Sequence, residues 1–244
     1  MAIKVKKEVK VVEPQVKREF VEAQGQHWYP SPTLPDIFYP SVTTILSVFP
    51  KGEGFNKYLA NSQSYETSQA ILKAAGQRGT NVHKGTEFLE QGATLLRENY
   101  TLEEWEMLED FVNWHHAYNP ELEVMEYGVV SDEYKTGGTI DRVYTIDGLR
   151  TLFDIKTSTA IHDNYWVQVA EYALMYEDKT THRIDQTAIL RLGSKHKCGY
   201  EFLVRDIEEW HKDATLFPVC HTLWNHINPN AAPKIVEVPK LLKL

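Results

Sequence analysis

The chain is poor in cysteine: Cys198 and Cys220 are the only two among its 244 residues. Two thiols are too few for the disulfide framework of a small secreted domain, and too few for a four-cysteine zinc or iron–sulphur site. We therefore expect no iron–sulphur cluster, and a protein that works in a reducing compartment.

Long apolar runs are also lacking. No stretch approaches the roughly 18 consecutive apolar residues of a membrane-spanning helix, and no apolar region follows the N-terminal lysines as it would in a secretory signal. The phosphate-binding pattern G-x-x-x-x-G-K-[ST] does not occur either. These absences predict a cytoplasmic protein with no membrane contact, no bound ATP and no fused helicase motor.

Positive charge is in deficit, with 26 Lys and Arg against 34 Asp and Glu and a net charge of −8. This balance disfavours a protein that coats nucleic acid through a broad basic surface. A local basic groove beside an acidic metal site remains compatible with it. The hydrophobic content of 42% is ordinary for a chain that buries a core.

The order of predicted elements indicates one α/β domain with a central mixed sheet flanked by helices and with N-terminal helical additions. We expect a flexible basic arm at residues 1–19, because lysines dominate there and aromatic residues are scarce. Residues 20–244 then form a single domain. Its accessory part spans 20–75, its core about 76–227, and a C-terminal strap 228–244.

The accessory part should begin with a small hairpin from Phe20 to Tyr29, broken at Gly25, and continue through a proline-rich connection to Ser41. Ser41 is suited to cap the short apolar segment that follows it. Helix-favouring residues dominate from Asn56 to Gln91, and we expect an interruption around Gly76 and Gly79.

A capping box formed by Thr101 and Glu104 predicts a second helix through His116. Trp105, Leu108, Phe111 and Val112 should give this helix one apolar face.

After Pro120 the apolar period changes to that of strands. Three antiparallel strands are the simplest interpretation, followed by a helix at about 163–176, two further strands and a helix from Asp206 to about His226. The helical crossover favours a parallel neighbour for the fourth strand.

The Asp147-Gly148 turn fixes a register. A two-residue loop pairs Ile146 with Leu149, and counting outward in pairs places Asp141 opposite Asp154. Opposed residues have β-carbons about 4.5–5.5 Å apart, and like charges there repel unless a cation lies between them. The strand period puts Lys156 on the same face and Ile155 on the other. The acids can therefore share a divalent metal, or they are solvent-facing residues that pair with Lys156.

Four short motifs bear on that choice. They are GTID at 138–141, DIKT at 154–157, QVAEY at 168–172 and RGTNVH at 78–83. In type, order and spacing they resemble the RecB-like branch of the PD-(D/E)XK nuclease superfamily. The segment PSVTTIL at 40–46 further resembles the mitochondrial genome-maintenance exonucleases and related phage exonucleases. The resemblance covers about residues 40–205.

The resemblance implies a PD-(D/E)XK nuclease core and a site that uses Mg²⁺ or Mn²⁺. It implies that the metal is held by His83, Asp141, Asp154 and the backbone carbonyl of Ile155, with Glu126 as a candidate ligand of a second ion. Lys156 would orient water and offset charge on phosphorus, and Gln168 and Tyr172 would brace the site or contact the DNA strand. For phosphate contacts we select Arg78, Lys84, Arg142, Arg191 and Lys195, which flank the motifs.

The expected function is a DNA exonuclease that favours single strands or free ends, in replication, repair or recombination. Alternatives within the class are a double-strand recombination exonuclease and a structure-specific endonuclease, and RNA is not excluded as substrate. An alternative of another class is a catalytically idle nuclease fold that serves as a DNA-binding module.

Overall fold

The computed structural model describes residues 20–23, 25–50, 52, 64–193 and 198–233. The predicted arm at 1–19, the helix start near Asn56, Lys195 and most of the predicted strap lie outside these residues.

A small sheet opens the described chain. Strands β1 (Val21–Ala23), β2 (Gln26–Pro30) and β3 (Phe38–Pro40) pair antiparallel in that order. The predicted hairpin is confirmed: Val21 lies opposite Trp28, and the turn residue Gly25 has φ 71°, a value that glycine adopts readily.

Ser41 caps helix α1 (Val42–Ile45) as expected, since its hydroxyl accepts a hydrogen bond from the Thr44 N–H at 3.0 Å.

Helix α2 (Tyr65–Glu90) runs through both of its central glycines without a break. The expected interruption is wrong. A glycine inside a helix costs only about 1 kcal/mol relative to alanine, and packing against neighbouring elements can offset that cost. Gly79 also serves packing, since a β-carbon at this position would lie 3.3 Å from the Thr157 hydroxyl oxygen.

Helix α3 (Leu102–Tyr118) begins with the predicted capping box of Thr101 and Glu104. Its buried face is shifted from the expected one. Leu108 and Phe111 are buried together with Met107 and Trp114, whereas Trp105 and Val112 are partly exposed.

The central sheet has five strands: β4 (Glu121–Ser131), β5 (Thr136–Ile146), β6 (Leu149–Lys156), β7 (Gln186–Arg191) and β8 (Glu201–Arg205). Their spatial order follows the chain, and only β6 and β7 are parallel. The crossover between those two is helix α4 (Asp163–Thr180), which confirms the predicted mixed sheet.

The single C-terminal helix that we expected is two helices, α5 (Ile207–Ala214) and α6 (Phe217–Ile227). Pro218 lies in the first turn of α6. Proline has no N–H to donate, and its ring clashes with the carbonyl four residues back, so a continuous helix has to end before it. Asp206 caps α5 as predicted.

Helices cover both faces of the sheet. On one face α4 and the C-terminal helices pack with Val143 and Leu152; on the other α2 and α3 pack with Phe153 and Ile155. The fold is therefore mixed α/β, with a five-stranded mixed sheet between helical layers. Among the described residues, no helix has the length and apolarity that a membrane span requires.

Candidate metal centre

Strands β5 and β6 pair in the register that the turn predicts, from Ile146 opposite Leu149 to Arg142 opposite Phe153. Asp141 and Asp154 are the next residues along the two strands, but the regular pairing ends before them. A carboxylate oxygen of Asp141 accepts the Ile155 N–H at 2.9 Å. The two strands are thus joined by a side chain at the point where the acids lie.

Glu126 occupies the corresponding position on the other side of Asp141. Its neighbours Met125 and Tyr127 pair with Arg142 and Ile140, so Glu126 lies across from Asp141 in β4. Glu126 has φ 51°, a left-handed conformation that costs a non-glycine residue about 1–3 kcal/mol. Three neighbouring strands therefore present three carboxylates in one row.

Helix α2 adds an imidazole to this row. His83 Nδ1 lies 3.5 Å from Asp141 Oδ2, and one potential ligand atom from each of His83, Glu126 and Asp141 lies within 4.8 Å of the others. These are nitrogen and oxygen donors of the kind that manganese accepts, while the carboxylates alone suit magnesium. The donor set fits a divalent cation of this class.

Asp154 lies deeper than Asp141 and is engaged by two partners. Lys156 Nζ lies 2.7 Å from Asp154 Oδ2, and the Gln168 amide donates to Asp154 Oδ1 at 3.0 Å. Lys156 Nζ also donates to the Gln168 amide oxygen at 3.2 Å. These contacts close a ring of carboxylate, ammonium and amide beside the candidate metal ligands.

Burial has different outcomes for the two charged members of this ring, Asp154 and Lys156. Burial raises the pKa of Asp154 to about 6, with Lys156 opposing the rise and Asp141 adding to it. Burial lowers the pKa of Lys156, but attraction to Asp154 and Asp141 outweighs that effect, so its pKa is raised. Lys156 therefore carries its charge at neutral pH and can only donate protons in hydrogen bonds.

Tyr172 packs behind the ring, and burial raises its pKa well above the ordinary value. A β-carbon at Gly138 would clash with the Tyr172 hydroxyl oxygen, so the glycine of this motif leaves space for the Tyr172 side chain. Ile155 is fully buried on the opposite face, as expected. That its carbonyl binds metal stays a prediction.

The basic residues selected for phosphate contact have different fates. Arg78 lies at the site, 2.9 Å from Glu103 and 3.5 Å from the Thr157 carbonyl. Lys84 is exposed on α2. The guanidinium of Arg191 pairs with Glu201 at 2.8 Å.

The prediction that Arg142 contacts phosphate is wrong. Its side chain is 0% exposed, so it cannot contact DNA. The hydrophobic period assigns Arg142 to one face of β5, but it does not show that helix α2 covers that face.

Tyr165, which sequence reasoning missed, also contributes to the site. Lys156 Nζ lies 4.6 Å from the centre of the Tyr165 ring. A cleft of about 220 Å³ opens here, and Arg78, His83, Lys156 and Tyr165 contribute to its lining. Tyr165 precedes Gln168 by three residues in α4, and this helical spacing is the signal that could have identified it.

Comparison with known proteins leaves the family open. The sequence matches no protein-family profile and no curated protein. The crystal structure of SSO0001 is similar to this chain at 15% identity and a TM-score of 0.35, over 75% of each chain. Similarity at this level supports no statement about function.

Proposed function

We propose that the chain is a metal-dependent nuclease with a PD-(D/E)XK core, which hydrolyses phosphodiester bonds in DNA. The observation that carries this proposal is the group of His83, Glu126 and Asp141, whose potential ligand atoms lie within 4.8 Å of one another. Beside it, Lys156 Nζ lies 2.7 Å from Asp154 Oδ2. Surface charge pairing accounts poorly for the row, because Asp154 is 3% exposed and burying a charge costs several kcal/mol.

The motifs that suggested this family lie far apart in sequence and meet in space. Gly138 accommodates Tyr172, Gln168 holds Asp154, and Gly79 packs on Thr157. Each contact joins two different motifs. This mutual fit supports a PD-(D/E)XK core, which general α/β architecture alone would not.

His83, Glu126 and Asp141 would hold the metal, joined by Asp154 and the Ile155 carbonyl as the resemblance implies. A bound Mg²⁺ or Mn²⁺ would polarise the scissile phosphate and lower the pKa of a bound water. The imidazole of His83 favours Mn²⁺, since Mg²⁺ prefers oxygen ligands.

Lys156 supplies the positive charge of the reaction. Asp154 keeps the amino group of Lys156 protonated. Lys156 therefore donates hydrogen bonds to the attacking water and to phosphate oxygens, and it does not act as a base. Gln168 fixes both partners, and Tyr165 limits where the ammonium can move.

An exonuclease that favours single strands or free ends remains our choice within the class, by resemblance to the mitochondrial and phage enzymes. A catalytically idle DNA-binding module is disfavoured, because binding DNA does not require His83, Asp141, Asp154 and Lys156 to converge.

The test is incubation of end-labelled linear and circular DNA, single- and double-stranded, with Mg²⁺, Mn²⁺ or EDTA. We expect linear single strands to be degraded with either metal, circles to persist, and EDTA to stop the reaction. Cleavage of circles would favour the endonuclease alternative. Absence of cleavage with either metal would overturn the proposal.

Asp141→Asn provides the matched variant, with Asp147→Asn as its control. Asp147 is an exposed turn residue of the same hairpin with φ 51°, a conformation that asparagine also tolerates. Only Asp141→Asn should lose cleavage. Equal activity of the two variants would remove Asp141 from the site.

A further inference from the structure

Arg142 forms the centre of a buried polar network beside the candidate metal ligands. Its Nε donates to Glu90, which also accepts the Tyr144 hydroxyl. Its other nitrogens donate to the Asp141 carbonyl at 2.7 Å, to Glu126 at 3.3 Å and to Thr86 at 3.3 Å. The guanidinium thus joins helix α2 to strands β4 and β5.

The charge of this network is balanced locally. The side chains of Arg142 and Glu90 are 0% and 3% exposed, and an unpaired charge at such depth would be strongly destabilising. Glu90 therefore anchors Arg142 from the side of the helix. Of the other two nitrogens of the guanidinium, Nη1 donates to Glu126 and to the Asp141 carbonyl, and Nη2 donates to Thr86.

Two of these contacts fall on the residues that hold the candidate metal. Glu126 has a left-handed backbone and a side chain with three rotatable bonds, so its carboxylate needs an external contact to keep one orientation. The contact to the Asp141 carbonyl fixes the backbone that carries the second carboxylate. Such outer contacts to ligands typically change metal affinity about 10–100-fold.

We propose that Arg142 is a positioning residue of the metal centre, which holds the Glu126 carboxylate and the Asp141 backbone for a divalent cation while Glu90 fixes its own place. This proposal rests on the proposed function in so far as His83, Glu126 and Asp141 bind the metal. It assigns Arg142 a role that excludes contact with substrate.

The experiment is calorimetric titration of the full chain with Mn²⁺, which needs no nuclease activity. Arg142→Lys keeps the charge but loses the forked geometry, and we expect the Mn²⁺ Kd to rise about tenfold or more. Glu126→Gln should also weaken binding. Because Arg142 acts in part through Glu126, the losses caused by Arg142→Lys and Glu126→Gln should be less than additive in the double variant.

Tyr144→Phe is the matched control. It removes the other hydrogen bond to Glu90 but touches neither Glu126 nor Asp141. We expect it to lower the free energy of unfolding and to leave the Mn²⁺ Kd within about twofold. A merely structural role of the network would instead make Tyr144→Phe and Arg142→Lys weaken binding alike.

An unchanged Kd in Arg142→Lys, additive losses in the double variant, or an equal loss in Tyr144→Phe would each overturn the proposal. If Arg142→Lys does not fold, Arg142→Met combined with Glu90→Met removes both members of the buried ion pair, which is often tolerated. This double variant should show the same rise in the Mn²⁺ Kd as Arg142→Lys.

The two proposals fail separately. Wild-type chain that binds Mn²⁺ but cleaves no nucleic acid would overturn the nuclease function and leave the role of Arg142 standing. Wild-type chain that does not bind Mn²⁺ would overturn both.

Discussion

Glu171→Gln should change how the stability of the protein depends on pH. Glu171 lies in α4 between Gln168 and Tyr172, it is 1% exposed, and its Oε1 has no hydrogen-bond partner among the described residues. Burial raises its pKa from 4.5 to about 8. The folded chain therefore holds a proton on Glu171 at pH values where the unfolded chain has released it.

The sign and size of the effect follow from this difference. The stability that comes from the raised pKa of Glu171 is fully present below pH 4.5, and it is lost as the pH rises to about 8. In between, the free energy of unfolding falls by about 1.4 kcal/mol per pH unit. Glutamine does not titrate. The free energy of unfolding of Glu171→Gln, taken relative to that of wild type, should therefore rise by about 3 kcal/mol between pH 5 and pH 7.

Urea unfolding of both proteins across this pH range measures the difference. Asp178→Asn is the control, since Asp178 is exposed on the same helix and its replacement should leave the pH dependence of wild type intact. A difference between wild type and Glu171→Gln that stays constant from pH 5 to pH 7 would refute the reasoning.

Two further predictions concern the site itself. In EDTA, Asp141→Asn should be no less stable than wild type, since asparagine can still accept the Ile155 N–H. The free energy of unfolding of Asp154→Asn should instead be lower than that of wild type by about 3 kcal/mol, because Lys156 loses its buried partner. Equal melting temperatures of the two variants would contradict this prediction. His83→Ala should weaken Mn²⁺ more than Mg²⁺ in calorimetric titration, given the preference of an imidazole for the softer ion, and an equal loss with both metals would make His83 a structural residue.

The hairpin that carries the site could be predicted from sequence because its determinants are local. The Asp147-Gly148 turn sets the register, and the strand period then places Asp154 and Lys156 on one face and Ile155 on the other. The structure agrees down to the pair before the acids. It does not continue to the acids themselves, because the carboxylate of Asp141 takes the place of a backbone acceptor.

The role of Arg142 could not be predicted in this way. Its neighbours Glu90 and Thr86 are more than 50 residues away in sequence, and no local pattern shows which helix covers the back of β5. For the same reason the sequence alone predicts a phosphate contact for an arginine that directly follows Asp141. Glu90 lies seven residues after His83, two turns along α2, and that spacing was the available signal.

The measurement that tests the central claim most directly is single-turnover cleavage of end-labelled single-stranded DNA by wild type and Lys156→Ala in Mn²⁺. The nuclease account predicts metal-dependent cleavage by wild type and a rate at least about 100-fold lower in Lys156→Ala. Mn²⁺ should still raise the melting temperature of the variant, since His83, Glu126 and Asp141 remain. Cleavage by Lys156→Ala within tenfold of wild type, or none by wild type, would contradict the account.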